Sequence, residues 1–181
     1  MDTRINTDLV QEPINQEELQ NFIKFDDDNP LEEALIASMI SAVRSHFERR
    51  TGLAFAAKTL ETQFRSTDRP FILPVSPVIS VDKVETIDSE GTKTELTLNS
   101  DYYKRGLYEV EIRPIAPTTN DLLVTYQAGY GSDDTQDLPQ DLRYAMMAQI
   151  KQWYDNRDDF YEFKILGSIE KILYLHKTKL I

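Results

Sequence analysis

The chain has 181 residues, no Cys, and 31 Asp and Glu against 20 Lys and Arg, for a net charge of −11. That length fits one domain, alone or with extended arms, because a single core is complete by about 150 residues. The acid excess excludes phosphate neutralisation as the main source of affinity for a partner, and the lack of Cys excludes a disulfide framework or a thiolate metal site.

Nine Tyr, eight Phe and one Trp supply enough large apolar groups for a real core, so wholesale disorder is not expected. The start, MDTRINTDLVQEPINQEEL, lacks the basic-then-apolar order of a signal peptide. No apolar run approaches the roughly 20 residues needed to span a bilayer. The expectation is a protein not exported by the general route.

Residues 1–14 are polar, aperiodic and contain Pro13, which predicts a flexible N-terminal arm. Asn15 followed by Glu18 has the form of a capping box, with Leu19, Phe22 and Ile23 on one face, and predicts a short helix over 16–25. In FDDDNPLEEALIASMISAVRSHFERRTG, Asn29 can cap, Pro30 suits the first turn, and Glu32 and Glu33 meet the positive end of the helix dipole. Leu31, Leu35, Met39, Val43 and Phe47 recur every fourth residue, joined by Ile36 and Ile40, and Arg49, Arg50 and Gly52 mark the stop. The helix spans 30–50.

From Lys58 to Ala128 the period changes to two. Leu60, Thr62 and Phe64 alternate with Glu61, Gln63 and Arg65, and Val84, Thr86, Leu96, Leu98, Val110 and Ile112 sit in similar alternations between turns at 88–91 and Asn99-Ser100. Pro74 and Pro77 interrupt FILPVSPVISV, since proline cannot donate to a ladder, and mark it as an edge or a crossover. The region over 58–128 is read as several short antiparallel strands closing with LLVTYQA.

Helical period returns with Leu142, Ala145, Met146, Gln149, Ile150 and Trp153 on one face, capped by Asp137 or Leu138 with Pro139 in the first turn, giving a helix over 139–157. Ser168 can cap a last helix bearing Ile169, Ile172, Leu173 and Leu175. The domain reading is therefore an arm over 1–14, a body over 15–160 and a terminal segment over 161–181. The fold class is α+β, a helical bundle with an antiparallel β-region inserted between the second and third main helices.

Gly129-Tyr130-Gly131, between strand and helix, stands where phosphate loops also occur. It lacks the third glycine of a dinucleotide fingerprint and the Lys and Ser/Thr of a P-loop, and Asp133, Asp134 and Asp137 follow it. It reads as a corner whose glycines permit positive φ, with Trp153 and Tyr154 packing over the junction. Acidic clusters at 26–28, 133–134 and 158–159 lack the spaced ligands of a calcium loop and read as solvated loops or caps. His46 and His176 have no partner motif for hydrolytic or metal chemistry, so no catalytic, metal or cofactor residues are expected.

The tail differs from the body. Residues 161–181 hold four Lys against two Glu, a net of +2, so the other 160 residues carry −13. Its apolar residues either fold back as a final helix or form an arm that docks into another protein, since such a segment left in water is an association site.

LIASMISAVRSHFERRTGLAF, ILPVSPVISVDKVETID, VTYQAGYG and LPQDLRYAMMAQIKQWYDNRDD, in this order and spacing, resemble the head-tail connector, or adaptor, family of long-tailed bacteriophages and prophage-like particles. The resemblance covers roughly 16–175, including ILGSIEKILYL near that family's closing helix. It implies an architectural protein: about a dozen copies in a ring beneath the portal protein, in the virion neck, extending the DNA channel and presenting a platform for a stopper or tail protein. DNA would pass without sequence-specific binding. By position it assigns portal docking to Tyr161, Phe163, Ile165, Leu166, Ile169 and Ile172, with Leu173, Leu175, Lys171 and Lys177. The polar stretch before Asn15 and the terminal HKTKLI depart from the family pattern. The alternatives are a metal-dependent hydrolase using dispersed carboxylates and an acidic DNA-mimic inhibitor.

Overall fold

The computed structural model describes residues 1–7, 11–23, 30–67, 69–116, 119–131, 137–156 and 164–177. Four helices form one body: α1 (Gln16–Ile23), α2 (Pro30–Thr51), α3 (Gln140–Asp155) and α4 (Gly167–His176). The insertion between α2 and α3 contains β2 (Lys58–Phe64), β3 (Phe71–Ile72), β4 (Val78–Ile87), β5 (Lys93–Glu95), β6 (Tyr102–Arg105), β7 (Glu111–Pro114) and β8 (Asp121–Ala128). The architecture is mixed α+β.

The helices form where the apolar spacing places them. Ile36, Ile40, Val43 and Phe47 of α2 are buried against Leu142, Met146 and Ile150 of α3, with Leu19 of α1 in the same cluster. The amide of Glu18 donates to Asn15 Oδ1 at 2.7 Å, half of the expected capping box. The other half is replaced: the Glu18 carboxylate accepts from Arg143 Nε of α3 at 2.9 Å and so fastens α1 across the bundle. Neither Asp137 nor Leu138 caps α3; the cap position is Pro139, with no side-chain bond. Likewise Leu166, not Ser168, stands at the cap position of α4. Asn29, the expected cap of α2, lies outside the described residues.

Residues 2–7 depart from the expected arm. They form β1 (Asp2–Thr7), which pairs antiparallel with β2 from Asp2↔Gln63 to Thr7↔Thr59. A polar edge strand carries no apolar alternation because its ladder, not burial, holds it. Thr3 Oγ1 meets Thr62 Oγ1 at 3.0 Å and Arg4 Nε donates to Glu61 at 2.8 Å across the pair. Ile14, also assigned to the arm, is buried in the bundle core.

Two antiparallel sheets make up the β-region: a five-stranded one in the order β1-β2-β8-β4-β5 and a three-stranded one in the order β3-β7-β6. Leu60, Phe64, Val84, Val124 and Tyr126 of the first sheet share one core with Phe71, Tyr102 and Ile112 of the second. Burial of Tyr126 pushes its phenol up to about 12, although Thr62 bonds to it. The proline-bearing run is the crossover, ending β3 in the small sheet and starting β4 in the large one. The Asp88 turn closes as expected, with Asp88 Oδ1 accepting from Glu90 N at 2.9 Å and Thr92 N at 2.8 Å. Leu98, expected in an alternation, instead lies outside the strands and is exposed.

Candidate docking surface

The corner between β8 and α3 is built by close backbone approach. Gly129 (φ 133°) donates from its amide to Pro77 O at 2.9 Å, and a Cβ there would lie 2.3 Å from Ala56 O. Tyr130 is buried, and its hydroxyl pairs with that of Tyr108 at 2.6 Å; burial and that partner raise its pKa. Trp153 and Tyr154 do not cover this junction: they sit at the opposite end of α3, where the Tyr154 hydroxyl donates to Glu32 Oε2 at 2.9 Å. The acidic pairs at 133–134 and 158–159, and the run at 26–28, lie outside the described residues. Among the described residues no three His, Asp or Glu converge as a metal-holding group.

The terminal segment is folded back. Ile165, Ile169 and Leu173, spaced four apart, are buried in the bundle core, and Ile172 packs against its margin. The buried Gln149 of α3 seats the start of the segment, donating to Lys164 O at 3.1 Å and accepting from Leu166 N at 3.1 Å. Two polar contacts pin the helix at its ends: Arg50 Nη1 to Glu170 at 3.1 Å, and His176 Nε2 to Asp141 at 2.6 Å. Burial pushes the Asp141 carboxyl up, but the His176 bond and charge and the Leu142 amide outweigh it and hold the group below its usual range.

The ten residues assigned to docking therefore divide. Ile165, Ile169 and Leu173 are used by the subunit's own core, while Tyr174 (76% exposed) and Leu175 (80% exposed) face outward with Leu166 and Lys171. Lys177 lines a separate open cleft with His46, Arg49 and Arg50. Tyr161 and Phe163 lie outside the described residues. Tyr174, absent from the ten, belongs to the exposed face; its place one turn beyond Lys171 is the signal that helical spacing offers.

The helix that closes the bundle thus keeps an outward face bearing exposed Leu166, Tyr174 and Leu175. A family model described as head completion protein matches residues 13–164. The chain belongs to that family. The head completion protein match stops short of α4. The family is structural, not enzymatic, and its role is that of a connector. No curated protein matches the chain. Among solved structures it is similar to a chain of the neck of an empty gene transfer agent (GTA) particle computed with C6 symmetry, at 19% identity and a TM-score of 0.78, covering 100% of this chain and 97% of that one. A chain from the virion of the native GTA particle gives 18% identity, TM-score 0.78 and the same coverage. One from the neck of the native particle computed with C12 symmetry gives 18%, 0.69, and 100% and 98% coverage. At these identities the likeness establishes the fold.

Proposed function

We propose that this head completion protein works in the virion neck as a ring of about a dozen copies beneath the portal, extending the DNA channel and offering a platform for a stopper or tail protein. The observation that carries the reading is the end-to-end fold likeness to neck chains, one of them from a particle computed with C12 symmetry. The acid excess supports a lumen along which DNA slides, since phosphates meet like charge within a Debye length of about 8 Å.

Docking to the portal is assigned to the outward face of α4: Leu166, Lys171, Tyr174 and Leu175. Exposed apolar side chains at helical spacing suit a helix laid into an apolar groove. Deleting 161–181 is a poor test, because it also removes Ile165, Ile169 and Leu173 from the core. The informative variant is Tyr174→Glu/Leu175→Glu, which changes only exposed residues. It should remain folded and lose co-purification with the portal; a variant that binds the portal like the parent refutes the docking assignment.

A further inference from the structure

Helix α2 is charged oppositely at its two ends, with Glu32 and Glu33 in the first turn and Arg49 and Arg50 in the last. The Tyr154–Glu32 bond sets the end of α3, and with it exposed Asp155, beside the acidic end; Lys151 pairs with Asp155 at 2.8 Å, but both side chains are about half exposed and such pairs contribute little. At the other end, His46, Arg49, Arg50 and Lys177 line an open cleft of about 440 Å³. Glu170 answers Arg50 there, but both side chains are half exposed, and such pairs contribute little. Three full cations against one carboxylate leave the cleft positive in a chain of net −11. His46 adds a buried Nε2 with no hydrogen-bond partner among the described residues.

The two poles cannot neutralise each other inside one subunit. Glu33 and Arg50 are separated by roughly 25 Å of rigid helix at about 1.5 Å per residue, some three Debye lengths at physiological salt. Between successive copies they can meet, and a contact between two different patches is the heterologous kind that closes into rings.

We propose that the basic cleft of His46, Arg49, Arg50 and Lys177 receives the acidic pole around Glu33 and Asp155 of a second copy of this chain, joining subunits head to tail. The proposal rests on the ring reading above and names its contact. A second copy is the favoured occupant over nucleic acid because the complementary acidic patch is on the same molecule, whereas the chain as a whole repels phosphate.

The test uses the full-length chain in low salt and two charge-reversed variants, Arg49→Glu/Arg50→Glu and Glu33→Lys/Asp155→Lys, all four positions being exposed. Circular dichroism checks that each is folded, and sedimentation velocity over a concentration series reads association. Each variant alone should associate at least tenfold more weakly than the parent. Their mixture should recover parental association, since each then offers the pole the other lacks. Variants that associate like the parent, a mixture that stays dissociated, or a parent that remains monomeric throughout each overturn the pairing. Loss of duplex DNA binding in Arg49→Glu/Arg50→Glu, without loss of self-association, would reassign the cleft to phosphate. Particle images separate the two levels: a ring joined through other surfaces overturns this contact and leaves the ring standing, whereas a single copy per neck overturns the ring itself.

Discussion

Lys58 Nζ lies 2.7 Å from Glu48 Oε2, and this ion pair joins the last turns of α2 to the first strand of the insertion. Glu48 also accepts from Arg44 Nη1 at 3.3 Å and from the Phe55 amide at 2.8 Å, so one carboxylate ties helix, loop and strand together. The side chains of Lys58 and Glu48 are 7% and 11% exposed. Removing one partner of such a pair leaves a charge buried without compensation.

Glu48→Leu should therefore destabilise the chain by about 3–5 kcal/mol. Arg44 retains Glu12, at 2.7 Å, so the loss falls mainly on Lys58. The double variant Glu48→Leu/Lys58→Met should recover much of it. Urea unfolding midpoints read both; equal destabilisation in the single and double variants would show that the ion pair is not the cause.

The two corner glycines should separate. Gly129→Ala drives a Cβ into Ala56 O and should cost several kcal/mol or prevent folding, since main chain must move. Gly131 (φ 76°) has open space around it, so Gly131→Ala should cost only about 1–2 kcal/mol for the left-handed backbone. Thermal melts of the two variants compare them directly, and similar losses would contradict the close-approach account.

Neighbouring leucines in α4 should behave oppositely. Leu173→Ala opens a cavity in the bundle core and should cost about 2–5 kcal/mol, with the damage read in melting. Leu175→Ala removes an exposed side chain and should leave stability within about 0.5 kcal/mol. Its effect should appear only in portal co-purification. A stability loss at Leu175 comparable to that at Leu173 would mean that α4 is seated differently.

Acid should weaken the fold in two separate windows. Burial, with Arg50 and Arg49 nearby, lowers the His46 pKa from 6.5, so the unfolded chain binds that proton first and stability falls as pH drops below 6.5. His46→Gln should flatten this part of the profile. Asp141, held below its ordinary 3.8 in the net balance, contributes stability that is complete above that value and is lost as pH falls through its lowered folded-state pKa. Asp141→Asn should flatten only the lower window. Melting temperature against pH, with each variant beside the parent, checks both; a parental profile in either variant would contradict that assignment.

The helices and the alternating β-region were legible because their apolar residues repeat at the period of the element that buries them. Ile36, Ile40, Val43 and Phe47 announce α2 before any partner is known, and Leu60, Thr62 and Phe64 announce β2. β1 was not legible: DTRINT has nothing to bury, and its place depends on the free edge that β2 happens to offer. The candidate site was legible only in part. The sequence marks 161–181 as apolar and basic, yet spacing alone did not separate Ile165, Ile169 and Leu173, which the bundle takes inward, from Tyr174 and Leu175, which it leaves in water.

What the sequence by itself determined was the four helices and the alternating β-region, their order and the sign of the charge, all of which follow from local periodicity and composition. Only the tertiary structure decided which apolar residues are core and which are surface, and that Lys177 meets Arg49 and Arg50 at one end of α2 while Asp155 stands at the other. Those outcomes depend on packing between segments more than 100 residues apart, such as Glu32 and Tyr154, and no local pattern carries that information.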